Sequence, residues 1–592
     1  MAGQPKTPFY AVVFLVIVGL IGLSVWRADI FAPAGNEDGG AGNKMAQQKR
    51  AAGPKEEPIQ PIDAVQIEQT SGAGITTVDE YQYVAREKLQ PVQGTSAYAP
   101  LKDDTVRFAL NVWAGWAPII YANGGSRPDK IWKTSAGKSF KLELVLMDDP
   151  VNMQESYAAG NVHIGWATLD MLPLFMQRLV DNSGKPRDSR VMPRVYQQVD
   201  WSNGGDGIVV RGNIKEIKDL RGKKIVLAQH SPSQYFVLNM LVAAGVQPGE
   251  VEFVYTADAF QAAAAFNAQK EIDACVSWAP DIYNLEKVQG NRMLVNTQTA
   301  NRLIADVWFA RADFARDHGD ICEALVRGVF DAMEALKSQA AKTEGAKLMA
   351  AFYNIPEDET IEMYADAYST GWGDNYQFFM NRNYLANFER VWNNAYYLYR
   401  RIGVVTHPRV PFDQVMDFTS IKKLENEKKY QQQKAQQPRF DFQHVSEQEV
   451  ESKAFLTTTH YIHFFPNSHD LYRKIVRRDA EGKDVEELYD PKIDFVIDKI
   501  GDQIGQFELS RVVIEGHTDS SMQGQVDEQL VLQLSRQRAE AVKEALVKKF
   551  ELDPNRFTVL GLGWKRPADP TQPNNQALNR RVEVRILPAE GQ

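Results

Sequence analysis

The alternation of apolar and polar positions divides the chain into stretches of different texture. Phe9 to Trp26, "FYAVVFLVIVGLIGLSVW", carries no charge, and at 1.5 Å per residue it reaches roughly 27 Å, close to a hydrocarbon core of about 30 Å. The run predicts a single transmembrane helix over 9–26, with Tyr10 and Trp26 at interfacial positions and residues 1–8 as a cytoplasmic stub. A cleaved leader is the alternative, because Ala32-Pro33-Ala34 resembles a cleavage site. Against it, the run exceeds a usual signal-peptide core, and Trp26-Arg27-Ala28-Asp29 intervenes. Residues 27–104, rich in Gly, Ala, Pro and charge with almost no apolar periodicity, read as a flexible tether.

From Thr105 to about residue 420, short β-type runs such as "VRFALNVW", "FKLELVLM", "GIVVR" and "KKIVLA" alternate with amphipathic segments such as "QYFVLNMLVAAG". That alternation predicts βαβ units and mainly parallel sheets covered on both faces. Residues 421–450, opening with "IKKLENEKKYQQQKAQQPRFDFQ", are polar and show no inward stripe, which predicts a second linker, partly helical. Residues 451–588 return to order. Strands near "THYIHFF", "RVVIEG", "RFTVLGLG" and "RRVEVRIL" are separated by helices near "PKIDFVIDKIGDQI" and "LSRQRAEAVKEALVKKF", an α+β pattern.

Composition narrows the function classes. At 592 residues the chain is too long for one core, and 44% hydrophobic with 24% charged residues suits several globular lobes with only local disorder. A net charge of -9 without a long basic block argues against nucleic acid as a partner. Two cysteines, Cys275 and Cys322, exclude a disulfide scaffold and a four-cysteine metal site, leaving two buried thiols or one bridge.

In the last unit, Arg538 lies four residues after Leu534 and four before Val542, on or beside the apolar stripe of its helix. A guanidinium there either snorkels to water or grips a carboxylate at a cleft edge. Asp519 ends "VVIEGHTD", where Gly516 permits a tight strand exit and Thr518 and Asp519 present oxygens; singly, such an aspartate is commonly a turn cap. Together, Asp519 and Arg538 suit a zwitterion, ammonium to the first and carboxylate to the second. The ordered set "EGHTDS", "LSRQRAEAV", "DPNRFTVLGLGWKRP" and "NRRVEVRI" resembles the OmpA-like peptidoglycan-binding domain over about 130 residues. The resemblance implies non-covalent binding of the diaminopimelate of the wall stem peptide, with Thr518, Asp519, Arg538, Asn579 and Arg580 as site residues. The stretch between Asp519 and Arg538 is about four residues longer than in that family, and Val531 replaces a usual asparagine, so Gln525, Asp527 or Gln529 becomes the candidate for the missing contact. Arg580 also shares alternation parity with Val582 and Val584, which would make it and Asn579 sheet braces instead.

In the middle unit, Trp113 and Trp116 follow a first strand, Ser231 and Ser233 open a helix after another, and Trp278 sits at a third strand exit. In open α/β sheets ligands bind at that rim, and a helix N-terminus suits an anion. The segments "VWAGWAPII", "AAGNVHIGWAT", "IKDLRGKKIVLAQHSPSQYFVLNMLVAAGV" and "IDACVSWAPDIY" resemble type II periplasmic solute-binding proteins of the class serving nitrate, sulfonates, taurine and thiamine precursors. The resemblance implies a two-lobed, hinged α/β domain over 105–420, with Trp113, Trp116, Thr168, Ser231, Ser233, Trp278 and Asp306 as ligand contacts. Asp206 and Asp306, with only His230 and Arg311 as nearby cations, make a ring or alkyl cation at least as good a match as a bare oxyanion.

The expectation is therefore a non-enzymatic, inner-membrane, single-pass protein with most of its mass in the periplasm. It binds a small solute and peptidoglycan, needs no cofactor or metal, and has room for an inner-membrane partner protein. Two alternatives remain at this point. One is a wall-anchored subunit of a membrane complex, stator-like or transport-associated, although Phe9–Trp26 lacks the ionisable group a proton-driven stator needs. The other is an enzyme related to pyrimidine synthases, although Cys275 and Cys322 do not form that class's cysteine cluster and no Ser-His-Asp or His-rich spacing is present.

Overall fold

The computed structural model describes Leu89 and residues 92–433, 438–443, 445–478 and 482–589. Among the described residues no helix is long and apolar enough to cross a membrane; the run Phe9–Trp26, with the stub before it and most of the tether, lies outside them.

Two sheets build the middle unit. The first takes β1 (Thr105–Leu110), β2 (Ile131–Lys133), β3 (Ser139–Leu146), β4 (Ile164–Thr168) and β5 (Pro193–Ser202). The second takes β6 (Asp206–Arg211), β7 (Lys224–Ala228), β8 (Glu252–Thr256), β9 (Ala274–Trp278) and β10 (Asn291–Asn296) in the order β10-β6-β9-β7-β8. The chain then returns to the first sheet with β11 (Ala305–Arg311) and β12 (Ala367–Ser369), giving the order β12-β5-β11-β4-β1-β3-β2. Two crossings, residues 203–205 and 297–304, thus join two lobes. The crossing strands bring antiparallel pairs into sheets expected to be mainly parallel: β11 runs antiparallel to β4 and β5, and β6 to β9 and β10. The β1–β3, β1–β4, β7–β8 and β7–β9 pairs are parallel.

Every residue of β4, β5 and β11 is buried, whereas β3 alternates between exposed and buried positions near the sheet edge. Strands covered on both faces need apolar residues at both parities, so "PRVYQQVDWS" and "ADVWFAR" show no period of two. Cys275 and Cys322 are buried in separate cores with no disulfide between them.

Two stretches read as connectors are packed. Asp188 Oδ2 accepts from Thr95 N and Ser96 N at 3.0 and 2.8 Å, and Ala99 N donates to Gly160 O at 2.8 Å, so the end of the tether lies along the first lobe. In the second linker, Tyr430 is buried, and Lys423, Glu427 and Lys429 pair with Glu323, Arg327 and Asp331 of the helix Gly319–Ala335. Ile421 and Leu424 are buried with it, a stripe too short to stand out among the surrounding Lys, Glu and Gln.

The last unit is a four-stranded sheet, β13 (Leu456–His460), β16 (Ser510–His517), β17 (Phe557–Gly563) and β18 (Val582–Ala589), in the order β13-β18-β16-β17. A separate hairpin of β14 (Lys474–Arg478) and β15 (Asp484–Leu488) precedes the helix Ile493–Gly505. That helix packs against the long helix Glu528–Phe550, which lies on β16 and β17. Buried Arg556 donates to Ile504 O and Phe507 O, both at 2.7 Å, closing the carbonyl end of Ile493–Gly505.

This unit docks on the middle one. Arg302, in the second crossing, places Nη2 2.6 Å from Glu508 Oε2, donates its backbone N–H to Gln506 O, and stacks 4.7 Å from the Tyr368 ring centre. Arg390 pairs with Asp502 and lies 3.7 Å from Asp498, while Leu385 packs on the helix Ile493–Gly505. The helix Pro232–Ala243 of the second lobe meets β13. The last unit therefore touches both lobes and a crossing between them. Arg302→Ala is expected to cost about 2–3 kcal/mol, below the ~3–5 kcal/mol of fully buried pairs because both side chains keep some exposure. Calorimetry of the full chain checks this, with Arg302→Glu/Glu508→Arg expected to recover part of the loss.

Candidate functional site

A small cavity lies where the strand ends of the two lobes face each other, lined by Trp113, Trp166, Thr168, Asp206, Trp278 and Asp306 together with Asn111, Pro150, Pro232 and Ile304. Local sequence explains the wall positions. Asp149 caps the helix Pro150–Ala158, accepting from Val151 N at 2.8 Å, and Pro150 takes the first helical position. Trp166 and Thr168, two apart on β4, share one face. Asp206 and Trp278 are cross-strand neighbours on β6 and β9.

Beneath the cavity the crossing strands set carboxylates side by side. Asp306 on β11 stands opposite both Asp200 on β5 and Thr168 on β4, and Asp306 and Asp200 share a hydrogen bond. Trp113 Nε1 donates to both oxygens of Asp200 at 3.2 Å. A side chain at Gly115 would place its Cβ 1.5 Å from Asp200 Oδ2, so only glycine permits the turn that carries Trp113 over the carboxylate. Ser202 Oγ donates to Asp206 Oδ2 at 2.6 Å. Burial pushes Asp170 and Asp200 up to about 8 and Asp206 to about 7, and burial with the neighbouring Asp200 drives Asp306 well above the usual carboxylate range.

Of the residues expected at the solute site, Trp113, Thr168, Trp278 and Asp306 meet in this cavity. Trp116 does not: it is fully buried, with Nε1 donating to Asn111 Oδ1 at 2.7 Å. Ser231 and Ser233 are also buried; Ser231 Oγ donates to Ala228 O at 2.7 Å, and it is Pro232 between them that reaches the cavity. Arg311 is engaged away from the cavity, with Asp313 at 2.9 Å and the carbonyls of Tyr157 and Ala158. Trp166 was missed, although its place two before Thr168 in "HIGWAT" was a usable signal. A larger space lies between the middle and last units, where Glu508 is engaged with Arg302, Arg556 with helix carbonyls, and Asp553 with Phe440 N.

In the last unit, Asp519 follows β16 and Arg538 lies on the buried stripe Ser535, Arg538, Ala539, Val542, Leu546 of the long helix. Gly516 is not at a strand exit. It lies within β16, where a Cβ would come 2.0 Å from Ser535 O, so glycine there lets helix and strand approach. Arg538 Nε donates to Ser468 O at 3.0 Å, and its guanidinium stacks 4.9 Å from the Phe464 ring centre. Burial, with Arg580 adding repulsion against the pull of Asp519, lowers Arg538 to about 10; among the described residues no carboxylate forms an ion pair with it. Asp519 accepts from Arg580 Nε at 2.6 Å and from Ser521; burial, the largest single effect, pushes it up, but these hydrogen bonds and the Arg580 charge together hold it below the usual carboxylate range. Thr518 Oγ1 is buried without a partner.

Asn579 is buried and held within its own loop. Its Oδ1 accepts from Ala568 N at 2.8 Å, and its Nδ2 donates to the carbonyls of Gln572, Pro573 and Asn575. Arg580 precedes β18 and faces Asp519, contrary to its strand parity. Glu515, His517 and Glu583 have the composition of a metal site, but Arg585 holds Glu515 at 2.9 Å, Arg581 holds Glu583 at 2.7 Å, and burial lowers His517 to about 3. The cluster is an ion-pair network around a neutral histidine.

Comparisons agree with two parts. An NMT1/THI5-like family model matches residues 196–342, and an OmpA family model matches residues 483–581. The chain is 27% identical over 190 residues to the taurine-binding periplasmic protein of Escherichia coli, covering 32% of this chain and 55% of that one. It is 31% identical over 109 residues to outer membrane protein Omp38 of Acinetobacter baumannii, covering 18% of this chain and 28% of that one. The chain thus spans about half the length of the first relative and about a quarter of the second. The solved periplasmic aliphatic sulphonate binding protein of Escherichia coli aligns with a TM-score of 0.40 at 18% identity, covering 58% of this chain and 98% of that one. The chain carries an NMT1/THI5-like solute-binding domain and a C-terminal OmpA domain.

The buried carboxylates give the fold a pH signature. In the unfolded chain they ionise near pH 4, so between about pH 4 and 8 the folded protein holds more protons and its stability falls as pH rises. Asp306→Asn, which keeps the shape and a donor toward Asp200, is expected to flatten that decline. The check is Tm from about pH 5 to 8, where a variant profile parallel to the wild type contradicts the assignment.

Proposed function

We propose that this chain is a cell-envelope solute receptor: its middle unit captures a small molecule between the lobes, and its last unit holds peptidoglycan without covalent chemistry. The observation that carries the reading is the union of a tryptophan-walled interlobe cavity with a second domain whose Arg538 lies near Asp519 and has no carboxylate partner among the described residues. In the wall site, Arg538 receives the carboxylate of a stem-peptide amino acid, charge-assisted and worth about 1.5–3 kcal/mol. Asp519 receives its ammonium, exchanging part of the Arg580 contact; Arg580 is the clasp of the empty site and Thr518 adds a hydroxyl, while Asn579 braces the loop from behind.

The apolar run Phe9–Trp26, as a membrane anchor with the folded domains in the periplasm, would place receptor and wall within reach of each other across the tether.

Co-sedimentation of the purified protein with peptidoglycan sacculi tests the wall reading. Asp519→Ala and Arg538→Ala are each expected to lower retention at least tenfold while the melting of the middle unit is unchanged; wild-type retention in both variants rules it out. Native mass spectrometry of the same preparation is expected to show a co-purified small molecule.

A further inference from the structure

We infer that the interlobe cavity is built for a solute bearing an alkylammonium group, with that cation seated against Asp206 among Trp113, Trp166 and Trp278. This rests on the receptor reading above and names the class of its solute.

Three observations converge. Asp206 is 3% exposed, lines the cavity, and uses only one oxygen within the protein: Oδ2 accepts from Ser202, whereas Oδ1 is buried without a partner. A buried carboxylate oxygen left in that state is costly, and a donor arriving from the cavity side removes the cost. Among the described residues no lysine, arginine or histidine lines the cavity, and Arg311 is engaged with Asp313. An anion entering would meet the Asp206 carboxyl with no countercharge, whereas a cation draws out its ionised form and meets complementary charge.

The aromatic walls favour the same sign. Trp113 Nε1 is tied to Asp200 and Trp166 Nε1 to Met147 O at 2.9 Å, so these indoles offer the cavity hydrocarbon and π surface rather than N–H donors. Trp278, the cross-strand neighbour of Asp206, adds a third face beside the carboxylate. Indole faces around a desolvated cation attract it through the ring quadrupole, most strongly for an alkylated or primary ammonium whose carbons also fill apolar space. The cavity is narrow and restricts the solute to a small one.

The test titrates the full chain, in phosphate rather than amine buffer, with ethylammonium, taurine and ethanesulfonate, following tryptophan fluorescence and heat. Taurine and ethanesulfonate differ only in the amino group. Ethylammonium and taurine are expected to bind and ethanesulfonate to bind at least tenfold more weakly. Asp206→Asn is expected to weaken ethylammonium at least tenfold. If that variant does not fold, Trp278→Leu, altering a partly exposed wall residue, is expected to weaken it three- to tenfold. Ethanesulfonate binding as well as taurine, or variants binding ethylammonium like the wild type, overturns the inference and leaves the receptor reading in place. If no probe binds, an amine-bearing molecule co-purifying from cells supports the inference, a molecule without an amine overturns it alone, and an empty cavity removes both readings.

Discussion

Carboxylates buried without a countercharge at the crossing of two lobes organise the solute-binding half. Asp200 and Asp306 stand opposite each other on neighbouring strands that are buried throughout, and two like charges at that spacing cannot both ionise. One of them therefore keeps a proton at neutral pH and bonds to the other, with the Trp113 indole fixed above the pair. This hydrogen-bonded layer ties β4, β5 and β11 to the first tryptophan of the cavity. It also explains why the loop after β1 cannot carry a side chain at Gly115.

The architecture was legible where local pattern and tertiary role coincide. The βα alternation from Thr105, the strands around "VVIEGH" and "RRVEVRI", and the inward position of Arg538 all follow from periodicities of two or 3.6 residues. The antiparallel crossing strands were not legible, because residues buried on both faces carry no phase and strand direction is set by chain path. The packed part of the second linker was hidden by composition: Ile421, Leu424 and Tyr430 are buried among Lys, Glu and Gln, and three ion pairs to a distant helix have no sequence spacing to announce them.

Site residues were legible in proportion to how far their chemistry shows in one dimension. Trp113, Thr168, Trp278 and Asp306 stand at strand ends and do converge, whereas Trp116, three positions beyond Trp113 on the following turn, rotates into the core. The serines flanking Pro232 satisfied the pattern of an anion-binding helix start, yet their hydroxyls are buried, and the charge facing the cavity is negative. In the last unit Asp519 is bonded to Arg580 while Arg538 donates to Ser468 O, and the amide of Asn579 is taken up by backbone groups of its own loop. Such satisfaction by backbone groups has no sequence spacing to betray it.

The docking of the last unit through Arg302 has a mechanical consequence. Arg302 sits on the strap that returns the chain from one lobe to the other, and its guanidinium is gripped by Glu508 at the end of a helix belonging to the wall-side sheet. Tension applied to that sheet would run through this grip into the strap on which Ile304 and Asp306 stand, instead of being absorbed by a slack connector. A load on the envelope and the shape of the solute chamber would then share a single line of force.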